Sequence, residues 1–245
     1  MTLSAIVLTH NSQDTLDTCL SSLEFANELL VIDDLSTDNT PTIAKRHHAK
    51  VIPHPLTDFA AQRNFALKQA TCNWVLFVDS DESVPPTLAK QILKAIKSTN
   101  INGYYLKRQD IFLNKTLRHG ETSQVRLLRL AKKSAGTWQR PVHEFWHIKG
   151  QTSTLTHPLL HQRNLSFSQF IDRLNHYTDL DAKALLAENK PFSYFDLLLK
   201  PLGKFVYNYF VLLGFLDGFP GFIMAFSMSL HSLIVRIKLY EHASA

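Results

Sequence analysis

Cysteine is scarce. The 245 residues include only Cys19 and Cys72, far apart in the chain. That excludes a disulfide framework and a cysteine-based zinc cluster, and it suits a reducing compartment. Eight glycines and ten prolines are too few for a fibrous or low-complexity protein. Charged residues make up only 19% against 45% hydrophobic, which argues against wholesale disorder and fits one large domain, or one domain with a small appendage. No charge sign dominates, since 26 Lys and Arg against 21 Asp and Glu leave +5. This mild excess suits an anionic partner without choosing among a membrane surface, a phosphorylated substrate and nucleic acid. The cations are not grouped with aromatics into a nucleic-acid module. Gly-x-Gly-x-x-Gly and Gly-x-x-x-x-Gly-Lys-Ser/Thr are both missing, which argues against a dinucleotide oxidoreductase and a P-loop NTPase. Met1-Thr2-Leu3-Ser4 lacks the charged start of a secretory signal, so a cytoplasmic beginning is expected. There are no internal repeats.

What is present is strand–helix alternation. Leu3 to Leu8, Glu28 to Ile32, Lys50 to Pro53 and Trp74 to Val78 read as strands. Helices are expected over roughly Gln13 to Ser22, with Ser12 as a cap, around Ile43 and Ala44, from Asp58 to Leu67, and from Pro85-Pro86 to about Lys97. Short, continuously apolar strands separated by helices predict an α/β fold with a doubly wound, mostly parallel sheet. Tyr104 to Leu106 and Arg126 to Leu130 are further strands, and a helix is expected over roughly Ser168 to Asn189.

Ligands bind at the carboxyl ends of the strands in such sheets. Three polar clusters fall there: Thr9-His10-Asn11, Asp33-Asp34 and Asp79-Ser80-Asp81. Paired carboxylates after a buried strand can hold Mg²⁺ or Mn²⁺ shared with a substrate pyrophosphate, or they can cap a turn and face water. Asp33-Asp34 can accept from a nucleobase or a ribose, or can cap a helix. Arg63 can hold a phosphate or lie exposed on its helix. Glu144, beside Pro141 and two tryptophans, can take a proton from a hydroxyl nucleophile or form a structural ion pair. His157 and His161 have ligand spacing, but Pro158 between them argues against a helical pair.

Three stretches together resemble the N-terminal motifs of family 2 glycosyltransferases with the GT-A fold. They are Ser4 to Asn11, Glu28 to Thr40, and Val78-Asp79-Ser80-Asp81-Glu82. Gln62-Arg63-Asn64-x-Ala66 resembles the segment between the second and third. Arg118-His119-Gly120, Arg126-Leu127-Leu128-Arg129 and Val142-His143-Glu144 are similar to the lipopolysaccharide inner-core β-glucosyltransferases within that family. The general resemblance covers roughly residues 2 to 165. It implies an inverting transfer of a hexose, glucose in that subfamily, from a UDP-sugar to a heptose of a lipid A–core acceptor. Thr9, Asn11, Asp33 and Asp34 would line the uridine pocket, Arg63 would lie near the base or phosphates, and Asp79 near the ribose. Asp81 would bind a divalent cation, and Glu144 would be the catalytic carboxylate. In the loop that here reads Glu121-Thr122-Ser123-Gln124 the subfamily tends to have acidic or aromatic residues, a departure that bears on the acceptor. A polyprenyl-phosphate or capsule precursor is the alternative acceptor, and a nucleotide-sugar-binding scaffold the alternative without turnover.

The last third changes character. Phe205 to Val235 is strongly apolar, with Asp217 its only charge. Gly214, Gly218, Pro220 and Gly221 divide it into halves that fall short of the ~20 residues of a spanning helix. Cations on both flanks (Lys200, Lys204, Arg236, Lys238) favour both ends on the cytoplasmic side. The expected organisation is therefore a catalytic domain over 1–165, a linking helix over 166–191, and an apolar helical hairpin over 192–245. That hairpin would associate with the inner membrane from its cytoplasmic face, or pack as a buried helix pair.

Overall fold

The first strand in the chain lies in the interior of the sheet. In the computed structural model β1 (Leu3–Thr9) lies between β2 (Glu28–Asp33) and β4 (Trp74–Asp79), parallel to both. Apart from Ser4 and the terminal Thr9 it is apolar, because both faces are covered. Leu3, Ala5 and Val7 join one core layer with α1 (Leu16–Ser21) and α4 (Pro86–Ala95). Ile6 joins the other with α3 (Phe59–Gln69). β4 divides in the same way, with Trp74, Leu76 and Val78 on the first layer and Val75 and Phe77 on the second.

The structure describes residues 1–140, 144–162, 167–188, 190 and 192–243. The main path of the sheet runs β3-β2-β1-β4-β8-β6-β12-β5. β3 (Lys50–Pro53) is parallel to β2 at the edge. β8 (Arg126–Lys132) is antiparallel to β4, and β6 (Gly103–Phe112) is antiparallel to β8. β5 (Glu82–Ser83) pairs with β12 (Leu159–Gln162), His161 opposite Glu82. A separate two-stranded sheet joins β9 (Gly136–Gln139) to β10 (Phe145–Ile148). The expected doubly wound, mostly parallel architecture is present. One local expectation fails: Ser12 does not cap α1 with its side chain. Its carbonyl accepts from Thr15 and Leu16 instead, and its hydroxyl lies 2.9 Å from the Ser80 hydroxyl.

The chain divides into two compact units. Met1–Gln109 with Val125–Gln162 forms the first, and Asp110–Gln124 with the chain from Arg163 onward forms the second. In the second unit, α5 (Phe167–Ala187) packs Phe170 and Leu174 on Met224 of α7 (Gly218–Ala243). α6 (Tyr194–Val206) precedes a π-helical turn over Tyr207–Val211 and a 3-10 turn over Gly214–Asp217. Of the glycines the sequence marks, Gly214 falls in the break between α6 and α7. Its physical reason is close approach, since a Cβ on Gly221 would stand 2.1 Å from the Gly214 carbonyl. Ser227 and Ser232 are buried in α7.

Candidate active site

Register brings the polar clusters to one rim. Thr9 stands opposite Asp33, and Leu8 opposite Asp79. At the β1–β2 end the candidate nucleotide ligands bond one another. Asp33 is buried and accepts from the Thr9 hydroxyl at 3.1 Å and the Ser36 hydroxyl at 2.6 Å. Asp34 accepts from the Leu56 N–H at 2.8 Å, and His10 lies 3.5 Å from its carboxylate. Asn11 has positive φ, 47°, and its side-chain oxygen accepts from the Thr37 N–H at 2.9 Å. Asn is one of the few residues that tolerate this conformation. The result is a pre-shaped loop pair in which Thr9 and Asp33 hold the walls while Asn11 stays exposed.

The second cluster is charged. Arg63, almost fully buried on α3, donates from Nη2 to Asp79 Oδ1 at 2.9 Å and from Nε to Glu144 at 3.3 Å. Arg129 on β8 donates Nη1 to Asp79 Oδ1 at 3.2 Å and Nη2 to Oδ2 at 2.5 Å. Two guanidinium groups thus grip one carboxylate, with the fork geometry that makes arginine strong at such sites. Partial burial pushes the Asp79 carboxyl up, but Arg129 and then Arg63 overcome it and hold Asp79 well below the usual carboxylate range. Glu82 is fully enclosed beneath this group and accepts from the Asp79 N–H at 2.9 Å. Burial, then the Asp79 charge, push Glu82 up to about 7. Burial disfavours the Arg129 charge, and Asp79 and Glu82 more than offset that. Buried Arg63 Nη1 and Arg129 Nε have no protein acceptor among the described residues. Such orphaned donors need an explanation, and an anionic ligand supplies one.

Aromatic residues fix the Arg63 end. Its guanidinium lies 4.7 Å from the Trp138 ring centre and 5.5 Å from that of Phe77. Trp138 stacks on Trp146 at 5.3 Å, and Phe77 meets both edge-on. The consecutive residues Gln62, Arg63 and Asn64 each do a different job. Gln62 bonds to His54, Arg63 reaches the carboxylates, and Asn64 pairs with the backbone of Trp138 in both directions at 2.8 and 2.9 Å. The β9–β10 hairpin that delivers Glu144 is thereby tied to α3. Pro141, Val142 and His143 lie outside the described residues. The hairpin closes only because residue 136 has no side chain, since a Cβ there would sit 1.8 Å from the His147 carbonyl oxygen. Gly136→Ala is expected to cost about 2–4 kcal/mol and to lower turnover further by displacing Glu144. Thermal melts and initial rates on the purified variant check this, and wild-type values in both would refute it.

His157 and His161 form no helical pair, since His161 lies on a strand. β12 instead brings His161 to Asp81, with Nε2 3.3 Å from Oδ2. Among the described residues no group of three or more His, Cys, Asp or Glu side chains is arranged to hold a metal. The Asp81 carboxylate by itself suits a hard cation such as Mg²⁺ or Mn²⁺, whose remaining positions water and substrate phosphates ordinarily fill. The sequence reading assigned no role to Arg129, Glu82 or His161. For Arg129 a signal was present: a charge between Leu128 and Leu130, inside a strand whose other charges, Arg126 and Lys132, stand at its two ends.

Residues 4–149 match glycosyl transferase family 2. The chain belongs to that family. It is a glycosyltransferase by membership, and so a transferase. Among curated relatives it is 25% identical over 248 residues to LpsC of Rhizobium meliloti, a lipopolysaccharide core biosynthesis glycosyltransferase, covering 98% of this chain and 92% of the relative. It is also 25% identical to an uncharacterised glycosyltransferase of Rickettsia typhi, covering 98% and 87%. The fold is shared with solved GT-A structures. One is the mannosyltransferase PcManGT of Pyrobaculum calidifontis in complex with GDP-Man and Mn²⁺, at TM-score 0.55 and 15% identity, covering 97% of this chain and 86% of that one. Another is TarS 1-349 of S. aureus, at TM-score 0.52 and 18% identity, covering 99% and 92%.

Proposed function

We propose that this family 2 glycosyltransferase is an inverting, metal-dependent hexosyltransferase. It moves glucose from UDP-glucose to a heptose of a lipid A–core acceptor at the cytoplasmic face of the inner membrane. Residues 1–165 would bind the donor and carry the chemistry, 166–191 would link, and 192–245 would associate with the membrane. The observation that carries the reading is the single guanidinium of Arg63, which spans from Asp79 to Glu144. It puts a donor-side carboxylate and a candidate general base within one side chain of each other, from positions 16 and 81 residues away.

In this reading Thr9, Asn11, Asp33 and Asp34 shape the uridine pocket. Asp79, about a third exposed, keeps an accessible edge for a ribose hydroxyl while Arg63 and Arg129 hold it. Asp81 would hold Mg²⁺ or Mn²⁺, whose chemistry is to neutralise the departing diphosphate, with His161 beside it. The orphaned donors on Arg63 and Arg129 add fixed positive charge in a low-dielectric setting, where it acts most strongly on a developing anion. Glu144 takes the proton from the attacking acceptor hydroxyl as that oxygen bonds to the anomeric carbon. A single base, with no second carboxylate placed as a covalent nucleophile among the described residues, would give inversion. The likeness to LpsC, a lipopolysaccharide core biosynthesis enzyme, supports a core acceptor, and the GDP-Man bound to the mannosyltransferase that shares the fold supports a nucleotide-sugar donor.

Thermal shift with a panel of nucleotide sugars tests the donor assignment. A donor at about 100 times its Kd stabilises the folded state by about 2.7 kcal/mol. A Mn²⁺-dependent shift is expected with UDP-glucose, absent with GDP-mannose and lost in Asp81→Ala. No shift with any nucleotide sugar would refute the reading.

A further inference from the structure

Five side chains on α6, namely Phe195, Leu198, Leu199, Leu202 and Val206, are all exposed. They recur at i, i+3, i+4, i+7 and i+11, which is one stripe on a helix. A helix of a soluble unit turns that stripe inward. α6 does the reverse, and the face it gives α7 carries its buried Pro201, whose carbonyl accepts from Ser229 at 2.7 Å. The stripe continues past the helix end, where Phe210, Val211, Phe215, Leu216 and Phe219 are exposed too. The one charge in this stretch is hidden. Asp217 is buried and accepts from the Arg118 and His119 N–H groups, each at 2.9 Å. The turn therefore has an apolar exterior, edged by the exposed cations Lys115 and Arg118. Arg118 is tied to Asp217 through its backbone, and Lys115 Nζ lies close to Gly218.

We infer that this face is an in-plane docking surface for an anionic bilayer, and that the protein is peripheral rather than membrane-spanning. The inference deepens the membrane part of the proposed function and rests on it. α6 has 13 residues, about 20 Å, and cannot cross a hydrocarbon core of about 30 Å. Gly214–His242 is long and apolar enough by length and composition, but its surroundings forbid it. Lys238 on α7 is bound to the Asn175 carbonyl, the Thr178 hydroxyl and the Asp179 carboxylate of α5. α5 exposes Asp172, Arg173, Asn175 and His176. A spanning α7 would carry this polar helix into lipid, where charged side chains are strongly disfavoured. An interfacial helix has no such conflict: its apolar stripe enters the acyl boundary while cations at the edge meet lipid phosphates.

Vesicle sedimentation separates the possibilities, using full-length protein with liposomes of phosphatidylethanolamine and phosphatidylglycerol, or of phosphatidylcholine alone. Wild type is expected to bind the anionic vesicles and to be released by alkaline carbonate. Leu198→Glu/Leu202→Glu should lower that binding by about tenfold or more with an unchanged melting temperature. Lys115→Glu/Arg118→Glu should weaken it and flatten its salt dependence. Resistance to carbonate extraction would overturn the peripheral assignment. Binding of wild type that the α6 variant retains would overturn the docking face while leaving membrane association standing. No vesicle binding by wild type, together with a dimer in solution that the α6 variant abolishes, would overturn both.

Discussion

Arg129→Leu is expected to destabilise the first unit by about 3 kcal/mol. Removing one partner of a buried ion pair typically costs about 3–5 kcal/mol, because the other charge is left uncompensated. Two features place Arg129 at the lower end. Asp79 keeps Arg63 at 2.9 Å, and its side chain is about a third exposed. Glu82 pulls the other way, since it is fully buried and depends on the same guanidinium to offset its own charge. For a chain of this size the loss lowers the melting temperature by about 6–12 °C. Removing both charges should be milder than the single change: Asp79→Asn/Arg129→Leu leaves Arg63 paired with Glu144 and, although Glu82 loses Arg129, it also loses the repulsion of the Asp79 charge. The pH dependence has a definite sign. The folded-state pKa of Asp79 is depressed, so its ion pair stabilises fully above the unfolded value near 3.9 and that contribution fades as pH falls below it. The stability gap between wild type and the double variant should therefore narrow below about pH 4. Denaturant titrations of the four proteins of the cycle measure the coupling. A coupling under about 0.5 kcal/mol would show that the grip on Asp79 is not what holds the site.

The placement of Asp79 was legible because an apolar run that stops at a carboxylate marks the end of a buried strand, and parallel neighbours align such ends on one rim. Thr9, Asp33 and Asp79 meet there for that reason alone. Arg129 was less legible. It comes from β8, which runs antiparallel to β4, and no local pattern fixes which register an antiparallel newcomer adopts. His161 was hidden in a further way. Its partner is 80 residues away and is reached through β5, a strand of two residues, too short to announce itself by periodicity. The bonds inside the Thr9–Asp33 loop pair were also beyond a linear reading. Asp33 could have faced a ligand or the loop, and only the close approach of the Ser36 and Thr9 hydroxyls shows it serving the loop. In the apolar third the expected halves fail: Phe205–Leu216 is mostly turn, only Gly214 falls in the break, and Gly218, Pro220 and Gly221 lie within α7, which is longer than either half. α6 begins at Tyr194, within the expected 192–245 segment, and Ser193 sets its start, with a hydroxyl that accepts from the Asp196 N–H.

Glu144→Gln should separate proton transfer from everything else the site does. Glutamine preserves the shape and keeps an oxygen to accept from Arg63 Nε, so the link to Asp79 and the hairpin geometry survive. What is lost is the ability to take a proton. Positioned general-base catalysis is worth about 10²–10⁴ in rate, and turnover should fall by that factor while donor affinity and melting temperature change little. The split matters because Glu144 is also one end of an ion pair. A purely structural Glu144 would show itself in stability, or in KM for the donor through a displaced Arg63, with kcat largely spared. A base acts only once the acceptor hydroxyl is in place, so its loss appears in kcat at saturating donor and acceptor. Glu144→Ala is the informative companion. It removes the acceptor for Arg63 as well as the base, and should add a stability loss of about 1–3 kcal/mol that the glutamine variant does not show. A fall in kcat of less than threefold for Glu144→Gln would assign the proton to another group and leave Glu144 as the residue that holds Arg63 in position.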